Sequence, residues 1–205
     1  MYSKEIKMKP ILFSTAMVQV ILAGNKTQTR RVVPKRVVDE YRNYEKFREK
    51  VSSFAVLPPQ GPECDYYLSR ARYKVGDILY VRETWFIEPV SKKYGYKADA
   101  NKYNEVVIDL GDTTTVTLSP DKWQPSLFMP KSAARLFLRV TDVGVEKLLD
   151  IRGGGVSREG IVWENNADPV GDFKRLWDSI NAKRPGCSWA DNPWVFVISF
   201  ERIEK

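Results

Sequence analysis

Leu22-Ala23-Gly24-Asn25-Lys26-Thr27-Gln28-Thr29-Arg30-Arg31-Val32-Val33 joins a short apolar helical pattern to a strand-like segment. Met17, Val18, Ile21 and Leu22 recur at the spacing that gathers side chains on one helix face. Gly24 stands where a helix closes with a left-handed residue, because it has no Cβ to clash. Thr27 to Val33 is then rich in β-formers, and Pro34 ends the run. Working back, Pro10-Ile11-Leu12-Phe13 predicts a short buried strand, with Ser14 or Thr15 as N-cap of the helix. From Ala23 to Val38 the chain carries Lys26, Arg30, Arg31, Lys35 and Arg36 and no acidic residue. An anionic or nucleotide-like ligand is expected to bind here.

Charge supports that placement. The net charge of the 205 residues is +7, and residues 1–50 alone hold 12 basic and 5 acidic side chains. The rest of the chain is balanced, so the whole excess belongs to the first quarter. It is either a footprint for phosphates or a solvated basic face. The chain has no histidine, which removes Ser-His-Asp and Cys-His catalysis and the histidine-containing zinc sites. Any general base must then be Lys, Asp, Glu, Tyr or a terminal group. Two cysteines, Cys64 and Cys187, have no metal-ligand spacing. No metal, cofactor or disulfide framework is expected, and a reducing, cytoplasmic setting is. No apolar run reaches the length of a membrane span, and the apolar stretch near the N-terminus is too interrupted for a signal peptide.

Further along, Val37, Tyr41, Tyr44 and Phe47 recur at helical spacing, and Pro58 to Pro62 reads as a rigid loop. Residues 35–74 are expected to be an insertion. Ile78 to Phe86 predicts a strand after the turn Val75-Gly76-Asp77. Residues 88–125 read as a second insertion, with short strands over Tyr94–Ala98, Val106–Leu110 and Thr113–Leu118. Ala134 to Val145 predicts the longest strand. Asp150 to Glu159 predicts a short helix, weakened at Gly153-Gly154-Gly155 by about 1 kcal/mol per glycine, so the triplet reads as a flexible hinge. Pro169 to Ala182 predicts a helix capped by Asp168, with Phe173, Leu176, Trp177 and Ile180 on its apolar face. Trp194 to Phe200 predicts a last strand. Three or four helices and this strand order do not repeat as βαβ units. A small mixed or antiparallel barrel with helices packed on it fits, as one domain over residues 1–205.

Gly24-Asn25-Lys26-Thr27-Gln28-Thr29-Arg30-Arg31 resembles the signature of the ASCH domain family: Gly, any residue, Lys, then Arg five further on. Seven further blocks resemble its longer, often phage- or prophage-encoded members: Lys9 to Ser14, Val75 to Trp85, Met129 to Ala133, Arg139 to Val143, Glu159 to Ile161, Leu176 to Asn181 and Asn192 to Val195. The resemblance implies an α+β fold, a PUA-like small β-barrel with flanking helices, here with insertions at about 35–74 and 88–125. It also implies RNA-related work, with RNA or a modified nucleoside as partner and no membrane. A small bacterial member hydrolyses N4-acetylcytidine using a Lys, a Thr and a Glu, which fall on Lys26, Thr29 and Glu159. Relatives of the longer type carry an acidic, helix-friendly run before the Glu-Gly-Ile, where this chain has Arg152-Gly153-Gly154-Gly155.

For amide hydrolysis, Lys26 would act as base only with a neutral amine, which burial or the nearby Arg30 and Arg31 would favour. Thr29 would attack or orient water, and Glu159 would relay the proton to the leaving amine. On a regular strand Lys26 and Thr29 point to opposite faces, so they converge only if Lys26 lies in the turn after Gly24 or at a bulge. Hydrolysis is the second expectation; the leading one is that Lys26 and the arginines bind RNA or a nucleotide-like ligand in a basic cleft without chemistry, because binding needs far less precise geometry. A phage accessory protein that contacts a host protein is a third reading. The expected ligand-binding set is Gly24, Lys26, Arg30, Arg31, Arg82, Glu83, Ser132, Arg135 and Trp189. Arg82 and Glu83 form a pocket pair or an internal salt bridge. Ser132 and Arg135 line the cleft or make a turn. Trp189, in the polar loop 186–192, is the stacking candidate, Trp85 and Trp194 are expected in the core, and Trp163 suits either role.

Overall fold

The computed structural model describes residues 8–51, 63–111, 114–161 and 168–204. Trp163 and the loop Pro58 to Pro62 lie outside them. The opening segment forms as the pattern dictates: strand β1 (Lys9–Leu12), helix α1 (Thr15–Leu22) and strand β2 (Gln28–Val32). Ser14 caps α1 by accepting from the Met17 amide at 3.4 Å, and Gly24 adopts φ +79°. Helices α2 (Lys35–Val51) and α3 (Glu63–Ser69) follow, then strand β3 (Ile78–Arg82).

The predicted strand over Ile78–Phe86 breaks after Arg82. The Glu83 amide donates to the Met129 sulfur at 3.2 Å. Trp85 instead opens a second sheet, the hairpin of β4 (Trp85–Ile87) with β5 (Tyr94–Tyr96). A third sheet pairs β6 (Val106–Gly111) with β7 (Thr114–Leu118). Strand β8 (Phe137–Lys147) starts three residues later than expected, after a 3-10 turn over Lys131–Ala133. The end of the chain supplies α4 (Gly153–Arg158), α5 (Pro169–Asn181) and β9 (Trp194–Ile203).

The main sheet has five strands in the order β1-β3-β8-β9-β2. It is mixed: β1 and β3 run parallel, while β3–β8 and β2–β9 are antiparallel. Parallel neighbours need a long crossover, and residues 13–77 supply it. Pro10 has no amide to donate and sits in β1, at an end of the strand order. The fold is α+β with five α-helices among the described residues. No helix among those residues is long and apolar enough to cross a membrane.

By contact density the chain forms two units. One comprises residues 1–27, 76–139 and 201–205, and the other 28–75 and 140–200. In the first, Tyr80, Met129, Ala133, Ala134 and Phe137 make one core, and Phe86, Val106 and Ile108 make a smaller one under the hairpins. In the second, Leu148, Ile151, Val156, Phe173, Trp177, Val195 and Val197 pack together. Asp168 caps α5 through the Gly171 amide at 2.9 Å. Its apolar face is narrower than predicted. Phe173 and Trp177 are buried, Leu176 is intermediate, and Ile180 is 59% exposed. Asn181 is buried instead, one residue on, and its amide donates to the Trp177 carbonyl at 3.2 Å.

The difference within α5 is measurable. Phe173→Ala should cost about 3–5 kcal/mol in urea unfolding, whereas Ile180→Ala should stay within about 0.5 kcal/mol of the parent. Equal costs would contradict the placement of this helix.

Candidate functional site

Strand β2 sorts the signature residues by parity. Gln28 and Arg30 share one face, Thr29 and Arg31 the other. The hydrogen bonds follow that sorting. Arg30 Nη1 donates to Gln28 Oε1 at 3.2 Å, and Arg31 Nη1 donates to Thr29 Oγ1 at 3.1 Å. Gln28 is itself held by Ser199 of β9 at 3.0 Å. Arg30 is the hub of the second unit. Its Nε and Nη2 lie 2.8 and 2.7 Å from Glu146 Oε1. Its Nη1 donates to Glu159 Oε1 at 3.2 Å. Thr29 is 1% exposed, and Arg30 and Glu159 are each 5% exposed. Ionised groups at this depth are tolerated because each carries a charge-assisted partner.

The position of Glu159 comes from the residues that follow it. Glu159 is the C-cap of α4. The Gly160 amide donates to the Ser157 carbonyl at 2.8 Å, and the Ile161 amide to the Val156 carbonyl at 3.3 Å. These two bonds are the paired closure of a Schellman motif, which requires a left-handed residue after the cap. Gly160 supplies it with φ +90°, and Ile161 packs against the core that holds Val156. The Glu-Gly-Ile block therefore fixes the carboxylate through helix closure.

The glycine triplet is no hinge: it forms the first half of α4. A Cβ on Gly155 would sit 3.0 Å from Arg30 Nη2 and 3.1 Å from Ile151 Cγ1. Gly155 therefore sits close against the Arg30 guanidinium, and a Cβ here would require the neighbouring side chains to shift by a few tenths of an ångström.

Arg31 is intermediate in exposure. Burial holds its guanidinium below the ordinary range, and the Glu159 charge, with a smaller electrostatic contribution from Tyr73, opposes that shift. Lys26 belongs to the first unit and precedes β2, so strand alternation does not set its direction. It is 3% exposed, with its ammonium 5.9 Å from the Phe13 ring centre. Gly24 is exposed at the end of α1.

The first unit carries a second cluster. Arg135 grips Glu83 through both carboxylate oxygens, at 3.0 and 3.1 Å. The same guanidinium grips Asp99 at 2.5 and 3.0 Å and lies 4.0 Å from the Tyr96 ring centre. Glu83 is 1% exposed. Burial pushes its carboxyl up, and the Arg135 hydrogen bonds and charge oppose that shift. Both Glu83 oxygens accept from the fork, which is the arrangement of an ionised carboxylate. Burial also pushes the Tyr96 phenol up to about 12. Its hydroxyl donates to the Ala133 carbonyl at 2.7 Å.

Glu83 therefore pairs with Arg135, not with the adjacent Arg82. Arg82 reaches the Leu127 carbonyl at 3.1 Å, and its buried Nε has no hydrogen-bond partner. Ser132 is exposed, 3.4 Å from the Tyr94 hydroxyl. Trp189 packs against the second unit's core, edge-on to Phe173 at 6.1 Å. Trp194 meets Tyr67 edge-on at 5.6 Å, and Trp85 packs against the core around Met129. Gln28, Glu146, Asp99 and Tyr96 were not expected from the sequence. Parity with Arg30 on a strand points to Gln28, whereas the others meet their arginines only through the tertiary fold. Among the described residues no group of three or more Cys, Asp or Glu side chains is placed to hold a metal ion.

No family model matches the chain, and no curated protein does. Among solved structures it is similar to a protein of Enterococcus faecalis V583 assigned to the family DUF984. That similarity has 11% identity and a TM-score of 0.43, and it covers 98% of this chain and 83% of the other.

Removing Arg135 tests the first unit's cluster. Arg135→Met leaves Glu83 buried without its partner and should cost about 3–5 kcal/mol. The carboxyl's pKa then rises further above its unfolded value. The native state holds a proton that the unfolded chain has released, so stability falls as pH rises through that window. The loss in unfolding midpoint should be larger at about pH 8 than at about pH 5. An equal loss at both would contradict the assignment.

Proposed function

We propose that this is an ASCH-type protein with a PUA-like barrel, and that it hydrolyses an amide on a modified nucleoside of the N4-acylcytidine kind. The observation that supports this reading is the buried, fixed carboxylate of Glu159, held by Arg30 at the end of α4. A surface that only tracks phosphates gains nothing from a carboxylate at 5% exposure. Such a carboxylate weakens the anion affinity of the arginine beside it. Preorganised acid–base chemistry does need one, oriented by its neighbours.

In this scheme water, or the Thr29 hydroxyl, adds to the acyl carbonyl, and Lys26 takes the proton of the attacking oxygen. The C–N bond breaks, and the ionised Glu159 relays the proton lost by the attacking oxygen to the departing N4 amine. Where Thr29 attacks, water then releases the acyl group as the free acid. Lys26 and Thr29 enter this scheme through the family resemblance, and Glu159 through both resemblance and burial; Thr29 lies on the face of β2 opposite Arg30, and Arg31 donates to Thr29 Oγ1 while lying in the field of Glu159.

Incubation with N4-acetylcytidine should yield cytidine and acetate by chromatography. Glu159→Gln, Thr29→Ala and Lys26→Ala should each lower kcat by about 10²–10⁴-fold. Full activity in Lys26→Ala and Glu159→Gln would overturn the assignment, as would no turnover by the parent protein.

A second reading, RNA binding without chemistry, is favoured by the exposed Arg36, Arg70, Arg72 and Lys74 of the second unit. Arg70 and Arg72 also lie over the rings of Tyr66 and Tyr73. On that reading single-stranded RNA binds with an affinity that falls steeply with salt, and N4-acetylcytidine is left intact.

A further inference from the structure

We propose that the cleft between β5 and β6, in the first unit, binds a nucleotide whose base carries an exocyclic amine. The cleft has a volume of about 470 Å³, and its walls include Lys92, Tyr94, Tyr96, Asp99, Val107 and Arg135. That volume falls in the range of small-molecule sites, about 300–1,000 Å³. The inference does not rest on the hydrolase reading, which concerns other residues.

Three features point to the ligand. The first is Asp99. Its two oxygens are held by Arg135, which is anchored in turn by both oxygens of the buried Glu83. The side chain remains 39% exposed, so a rigid carboxylate edge faces the ligand space. A carboxylate only accepts hydrogen bonds, and it therefore selects an amine over a carbonyl at the same place on a base.

The second is aromatic and apolar surface. Tyr94 is half-buried, and Val107 presents 64% of its surface although its neighbours Val106 and Ile108 are buried. A flat, partly apolar ring covers such surface well.

The third is Lys92, an exposed lysine with φ +58°. A non-glycine residue pays about 1 kcal/mol or more for that conformation. The turn nonetheless places an ammonium at the cleft, where it suits a phosphate. Its neighbour Lys93 instead donates to the Asp109 carbonyl at 2.7 Å, which ties the loop to β6. The run Lys92-Lys93-Tyr94-Gly95-Tyr96-Lys97 is thus a basic stretch with interleaved aromatics, folded against a carboxylate reader.

The test is calorimetric titration of the full chain with AMP and with IMP. These differ by an amine against a carbonyl at one ring position, and neither carries an acyl group. AMP should bind saturably and IMP about tenfold more weakly or less. Asp99→Asn should erase the difference. Lys92→Ala, an exposed loop change that leaves the cores intact, should weaken AMP several-fold and reduce its salt dependence. Equal affinity for AMP and IMP, no saturable binding of either, or full AMP affinity in Lys92→Ala would overturn the proposal. Saturable AMP binding by a parent protein that leaves N4-acetylcytidine intact marks the failure of the hydrolase reading alone, and turnover of N4-acetylcytidine without AMP binding marks the failure of this one alone.

Discussion

The Arg30 guanidinium, buried between Glu146 and Glu159, is the constraint on which the second unit's candidate site depends. It connects β2 to β8 and to the end of α4 with charge-assisted bonds of 2.7–3.2 Å. Removing such ions from water costs several kcal/mol each, which good geometry only just offsets. A trio of apolar side chains of the same volume would hold these elements together at least as well. The cluster is therefore poorly explained as a stability device. It is better explained as a means of holding one carboxylate in one place.

The first unit repeats the same chemistry with different exposure. Arg135 also carries two carboxylates, one of them almost wholly buried. Its own side chain is 28% exposed, against 4% for Arg30. In both clusters the buried acid faces away from water and its arginine passes the constraint onward. Arg30 sits against Gly155 and the α4 backbone, and Arg135 orders Asp99 at a cleft. Each cluster has one more carboxylate than guanidinium, so neither accounts for the chain's positive charge. That excess lies in residues 1–50, where Lys35 and Arg36 are exposed.

Much of the local structure was legible because it follows from short-range rules. Ser14, Gly24, Asp168 and Pro169 mark helix ends by their hydrogen-bonding and backbone preferences, and the helices obey them. The strand-like runs Val106–Leu110, Thr113–Leu118 and Trp194–Phe200 fall where β6, β7 and β9 form. Errors arose where tertiary contacts override local pattern. Ile78 to Phe86 reads as one strand, but the bond from the Glu83 amide to the Met129 sulfur interrupts it, and nothing near Glu83 in sequence announces Met129. Gly153-Gly154-Gly155 reads as a hinge, yet it forms the start of α4, where Gly155 lies close against Arg30, 125 positions earlier in the numbering. Arg82 and Glu83 are adjacent and were an obvious pair, but alternation along β3 and its exit turn them to different partners. The partners Glu146 and Asp99 carry no local signal at all.

The central claim is that Thr29 and Glu159 address the acyl group of a nucleoside. A crystal structure of Glu159→Gln with N4-acetylcytidine bound tests it most directly. The account predicts the acyl carbon within reach of Thr29 Oγ1, and the N4 nitrogen within hydrogen-bonding distance of residue 159. A ligand found only elsewhere, or seated here with its acyl group turned away from both residues, would contradict it.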